Sequence, residues 1–349
     1  MCEYSCDDDG LPTDWHMVHL GSKAVGGTGL VMAEATAVTP AGRLTPSCSG
    51  IWSDAHVDAW RPITKFIAEQ GSVSGIQIAH GGRKASHTEP WNTPTRHLGS
   101  DEKGWQIVGP SAIEFDGSFG TPQELTSQEI AEITQQFVDG ALYSLEAGFK
   151  VVELHFAHGY LASSFMSPLS NHREDEYGGS LENRCRFALE TITEIRKAIP
   201  ESAPLFVRIS SSEFVEGGWD IEDSVQIAKW MKDAGVDLVD ASAGGNSADQ
   251  VLKLSPGYQV PFADAIRNQA GIMTAAVGLI TEAKQAEEIL QAGQADAVFI
   301  GRELMRNPYW SLYAQAQLDG ESDRWAKQYK PSSFDFKYTG PSEVISTSS

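Results

Sequence analysis

The chain of 349 residues is short of positive charge, of cysteine pairs and of long apolar runs, and each shortage removes a class of function. Lysine and arginine number 26 against 47 aspartates and glutamates, a formal charge of −21. The acidic residues are spread along the chain rather than blocked. They read as a solvated surface, and nucleic acid and anionic membrane are excluded as expected partners. Cys2, Cys6, Cys48 and Cys185 are the only cysteines, and no two form a C-x-x-C pair. A reducing compartment is expected, without a disulfide framework. No apolar run reaches membrane-spanning length. Residues Met1 to Asp9 are acidic and lack the apolar segment of a secretory signal, so a cytoplasmic location is expected. Also lacking are a G-x-G-x-x-G fingerprint, a P-loop and an H-E-x-x-H motif.

What is present is alternation. Strand-like runs occur at 29–34, 74–80, 150–154, 205–210, 236–242, 272–278 and 296–301. Between them lie stretches with apolar residues at helical spacing, at 54–69, 127–147, 181–199, 221–234 and 282–292. Strict alternation implies an α/β fold with a parallel sheet and right-handed crossovers. Seven strands suit an open doubly wound sheet, or a closed β/α barrel lacking one of its eight strands.

Chemically capable residues collect where the strands stop, the edge at which α/β proteins bind ligands. The second run ends Gln77-Ile78-Ala79-His80 and continues to Arg83 and Lys84. The third ends His155-Phe156-Ala157-His158-Gly159-Tyr160. Arg208 is a charge inside an apolar run, costly unless it is paired or faces a ligand's negative charge. Gly278 and Gly301-Arg302 end the last two runs, where a phosphate site or plain tight turns are both in keeping. For His155 and His158 three readings stand: hydrogen-bonded structural residues, donors to a carbonyl or anion, or metal ligands with His80 as a third.

The residues together resemble the Old Yellow Enzyme family of flavin-dependent ene-reductases, in its bacterial-type branch with a flavin-tuning cysteine. The matching segments run from Met1 to about Pro308. They include Met1-Cys2-x-Tyr4-Ser5, His16-Met17-Val18-His19, Gly50-Ile51-Trp52-Ser53-Asp54 and Gln77 to Lys84. The longest is His155 to Phe187, with Phe165 to Asn171, Arg173, Asp175 and Tyr177-Gly178-Gly179-Ser180 inside it. The resemblance implies a (β/α)8 TIM barrel over 1–310 holding FMN at its C-terminal mouth, with 311–349 as a partly flexible tail. It implies NADPH as reductant and an α,β-unsaturated carbonyl compound as substrate. Cys2, Ala35, Gln77, Arg208, Gly278, Gly301 and Arg302 are then flavin contacts. His155 and His158 bind the substrate carbonyl, Tyr160 protonates the α-carbon, and Tyr4 and Lys84 line the substrate pocket. No metal is expected. A non-redox barrel that binds a small enone is the alternative.

Two departures carry expectations of their own. Family members have a segment before the position of Met1 that supplies an entry hairpin and the first strand. Without it, seven strands with two exposed edges are expected. The tail reads Gln328-Tyr329-Lys330-Pro331 where relatives carry an arginine that reaches a neighbouring subunit, so a residue acting across a homo-oligomer interface is not expected here. The segment after Trp310 reads as polar and irregular.

Overall fold

The computed structural model describes residues 2–333. Seven parallel strands form one sheet in chain order: β1 (Leu30–Ala37), β2 (Val73–Ala79), β3 (Val151–Phe156), β4 (Leu205–Ser210), β5 (Leu238–Ser242), β6 (Met273–Ala276) and β7 (Ala297–Val298). Among the described residues β1 and β7 are the two unpaired edges. Both edges nevertheless line one apolar cavity of about 460 Å³, together with Phe206 and Leu238. The sheet therefore curls until its edges approach, as a barrel left open along one side.

Helices cover the outer face. Their starts follow from capping chemistry. Thr126 and Glu129 form a reciprocal capping box before the helix Ser127–Glu146. Ser180 caps Leu181–Ala198, and Asp220 caps Ile221–Asp233, each accepting a backbone N–H of the first turn. Strand side chains alternate between faces. Val152, Leu154 and Phe156 join the buried core, with Phe156 edge-on to Phe137 of the covering helix at 5.8 Å. Ile76, Ile78, Val207, Ile209, Val239 and Ala241 take the same outward positions. The alternate residues, Gln77, Glu153, His155, Arg208, Asp240 and Ser242, are thereby turned into the barrel. Register stacks them: Gln77 lies opposite Glu153, His155 opposite Arg208, and Arg208 opposite Asp240. A polar tier thus sits above the apolar tier of Phe206 and Leu238.

The strand nearest the open side is shorter than the sequence suggests. Only Ala297 and Val298 are in ladder register, followed by one bond from Phe299 N–H to the Ala276 carbonyl at 2.8 Å. An edge strand with a partner on one side has little to hold its end. The segment after Trp310 is helical over Trp310–Asp319, not irregular. Its Leu312 is buried against Gly27, where a Cβ would meet the leucine at 2.9 Å. Helices Asp14–Val25 and Val260–Ala270 also lie outside the stretches that periodicity marks. Residues 334–349, most of the expected tail, lie outside the described residues.

Candidate active site

At the end of β3 the chain turns through two left-handed residues, His158 (φ 60°) and Gly159 (φ 74°). A Cβ on Gly159 would come within 2.4 Å of the Gly245 carbonyl oxygen, so the turn depends on glycine here. The turn brings two rings onto one side that an extended strand would set apart. His155 Nε2 and His158 Nδ1 lie 3.2 Å apart, and the Tyr160 ring is 4.7 Å from that of His155. The His158 backbone N–H donates to Ser210 Oγ at 2.8 Å. Lys84 reaches in from the end of β2 and donates to the His158 and Gly245 carbonyls at 3.0 and 2.8 Å. Its ammonium is used in holding these two loops together, and Lys84 lines neither cavity of the site.

The hydrogen bonds define the tautomers. His155 Nδ1 accepts the Ala157 N–H at 3.3 Å, which leaves Nε2 as the protonated nitrogen of the neutral ring. That N–H points at His158 Nδ1, whose Nε2 is 2.7 Å from Ser242 Oγ. Burial, and then the Arg208 charge, hold both imidazoles well below their ordinary pKa. Burial raises the Tyr160 phenol well above its ordinary value, helped by Cys2. At neutral pH the cluster is two uncharged donors and a phenol that keeps its proton.

Two cavities meet here and share Gln77, His158 and Arg208. The outer one, about 590 Å³, is lined by Cys2, Tyr4, Ala35, Trp91, His155 and Tyr160. Trp91 stands edge-on to Tyr4 at 5.7 Å. Burial raises the pKa of both Cys2 and Tyr4, so the thiol is protonated. The inner cavity, about 340 Å³, runs from Gln77, Glu153, Arg208 and Asp240 to Gly278, Gly301, Arg302 and Arg306. Its deep end holds polar atoms without a hydrogen-bond partner: Glu153 Oε1, Arg208 Nε and both Asp240 oxygens. Arg208 Nη1 stands 3.3 Å from Asp240 Oδ2, an ion pair by distance whose alignment leaves the carboxylate's hydrogen-bonding capacity unfilled. Buried polar atoms of this kind call for a ligand or ordered water. The other end suits an anion at Arg302 and at Gly278, whose φ is 113°, while Arg306 there is paired with Glu303.

The structure therefore gathers His155, His158, Tyr160, Cys2, Tyr4, Ala35, Gln77 and Arg208 around one junction, with Gly278, Gly301 and Arg302 at the far end of the inner cavity. Among the described residues no three histidine, cysteine or carboxylate side chains converge as a metal site. Glu153, Asp240, Ser242 and Trp91 were not anticipated. A signal existed for the first two: each is a carboxylate flanked by apolar residues inside a strand run, the same anomaly that marks Arg208.

A cavity with polar atoms able to meet an imide at one end and an arginine at the other fits FMN, as a flavin-dependent barrel oxidoreductase requires. The chain belongs to the NADH:flavin oxidoreductase / NADH oxidase family, whose profile matches residues 1–321. It is 48% identical over 323 residues to an NADPH dehydrogenase of Bacillus subtilis, covering 92% of this chain and 90% of that protein. It is 50% identical over 321 residues to an NADPH dehydrogenase of Bacillus licheniformis, covering 91% and 89%. Among solved structures it is similar to the old yellow enzyme homologue from Zymomonas mobilis. There the TM-score is 0.73 at 26% identity, over 96% of this chain and 93% of that one.

Proposed function

We propose that the protein is an FMN-dependent NADPH dehydrogenase that reduces the carbon–carbon double bond of α,β-unsaturated carbonyl compounds. FMN, when bound, would supply the two-electron chemistry that links NADPH oxidation to reduction of the alkene. Gln77 and Arg208 would meet the polar edge of the flavin ring, where reduction gathers negative charge, and Gly278, Gly301 and Arg302 would hold the phosphate. Cys2 and Ala35, which line the outer cavity, would pack beside the ring. The substrate lies in the outer cavity with Tyr4 on its wall.

The observation that carries this reading is the convergence of His155 Nε2 and His158 Nδ1, 3.2 Å apart, beside Tyr160. A carbonyl oxygen entering that space takes the His155 N–H away from His158. His158 then donates as well once its proton moves to Nδ1 and the Ser242 hydroxyl turns to donate to Nε2. Both donors strengthen as charge develops on the oxygen, and each such donor is worth ~3 kcal/mol. Tyr160, still protonated at neutral pH, gives its proton to the α-carbon. Free Cys2, Cys6, Cys48 and Cys185 and the need for NADPH support a cytoplasmic location.

The test is anaerobic titration of the FMN-loaded protein. NADPH should bleach the flavin absorbance and an enone should restore it with one product per NADPH. Restoration by oxygen but by no enone would refute the assignment.

A further inference from the structure

Glu153 lies inside the barrel on β3, 1% exposed, directly opposite Gln77 in the parallel ladder. Its Oε2 accepts a hydrogen bond from the Gln77 amide nitrogen at 2.5 Å, and its Oε1 has no partner. A side-chain amide has two unlike ends, a donor and an acceptor, of similar shape. With its nitrogen held by Glu153, Gln77 is left to present its oxygen to the cavities that it lines. The polar edge of an isoalloxazine ring reads carbonyl, imide N–H, carbonyl. Only the amide oxygen can accept that N–H; the NH2 end would set donor against donor.

We propose that Glu153 is a positioning residue for the flavin, fixing the Gln77 amide with its oxygen towards the cofactor cavity. The inference rests on the flavin assignment above. It accounts for a carboxylate buried where no cation pairs with it directly: Arg208 pairs with Asp240. It also gives the bond a direction. Ionised, Glu153 has only acceptors and can hold only the amide nitrogen; neutral, it keeps one acceptor oxygen for the bond seen here. A leucine offers no acceptor and frees the amide to turn. A glutamine restores one.

The test is a double-mutant cycle read by quenching of FMN fluorescence in the apoprotein, with Glu153→Leu, Gln77→Leu, their combination and Glu153→Gln. Glu153→Leu should weaken FMN binding about tenfold, the scale of one misaligned buried hydrogen bond. It should weaken it no further once Gln77 is leucine. Glu153→Gln should bind within about threefold of wild type, since a neutral acceptor suffices. Should the leucine variant not fold, Glu153→Ala enters the same cycle, and the melting of each apoprotein separates lost fold from lost affinity. Unchanged binding by the folded variant, or its full effect in the Gln77→Leu background, overturns the proposal. Wild-type protein that takes up no FMN overturns the flavin assignment as well, whereas normal uptake with additive variants overturns this inference alone.

Discussion

His155 Nε2 and His158 Nδ1 point at one another across 3.2 Å, so before a substrate arrives the His155 N–H is satisfied by the His158 nitrogen that accepts it. Replacing either ring with alanine removes one donor and also the partner that aligns the other. Each single variant should lose about 10² or more in kcat/KM for enone reduction. The double variant should lose less than the product of the two, because the rings act as a unit. Steady-state kinetics with one enone across the four proteins checks this.

Ser242 Oγ lies 2.7 Å from His158 Nε2. In Ser242→Ala the ring has no hydroxyl to hold the Nδ1–H tautomer. Enone KM should rise and kcat/KM fall about tenfold, the scale of one hydrogen bond to developing charge. Imidazole 15N shifts, recorded with and without a bound enone, should show His158 changing tautomer in wild type and not in the variant.

Gly159→Ala tests the turn that makes the cluster. Its φ is 74°, and the new methyl would meet the Gly245 carbonyl at 2.4 Å. Strain of this kind costs on the order of 1–3 kcal/mol. The variant should melt at a lower temperature than wild type and lose enone turnover with it. Unchanged melting would mean that the loop of Gly245 gives way.

How much of this was legible beforehand follows from the physics of each element. The strands β2 to β6 announce themselves through β-branched apolar runs, and capping residues at Thr126, Ser180 and Asp220 mark their helices. Helix Trp310–Asp319 has little amphipathic pattern and is anchored by tertiary contacts, Leu312 beside Gly27 and Trp310 Nε1 donating to the Thr281 carbonyl, which composition does not reveal. Within the site, motif residues located His155, His158 and Tyr160. That the two rings face one another depends on φ at His158 and on the contact of Gly159 with Gly245, a residue far along the chain. Lys84 illustrates the converse. Its position beside the site is plain in sequence, but its two carbonyl acceptors come from loops after β3 and β5, which only the fold brings together.

The buried ionisable groups pull apoprotein stability in opposite directions with pH. Burial lowers His80 to about 4 and holds His155 and His158 well below the ordinary value. The unfolded rings take up protons near pH 6.5, as free imidazoles do at about that value. Below it the unfolded state binds more protons, so their contribution to stability falls as the solution is acidified. Glu153 does the reverse. Burial, then the Asp240 charge, raise its carboxyl, so the unfolded form ionises first as pH rises above about 4.3. Its contribution therefore falls with rising pH until the folded carboxyl ionises too. Urea midpoints of wild-type and Glu153→Gln apoprotein should diverge in favour of the variant between about pH 5 and 7.

The central claim is a division of labour around the double bond: a carbonyl held by His155 and His158, a proton from Tyr160 and hydride from the nicotinamide by way of FMN. Reduction of an α-substituted enone with NADPH deuterated at the transferred position, run in ordinary water and analysed by NMR, tests it most directly. The result expected is a saturated ketone or aldehyde with deuterium at the β-carbon alone, and, with ordinary NADPH in D2O, deuterium at the α-carbon. Deuterium from NADPH at the carbonyl carbon, with an alcohol as product, would contradict it.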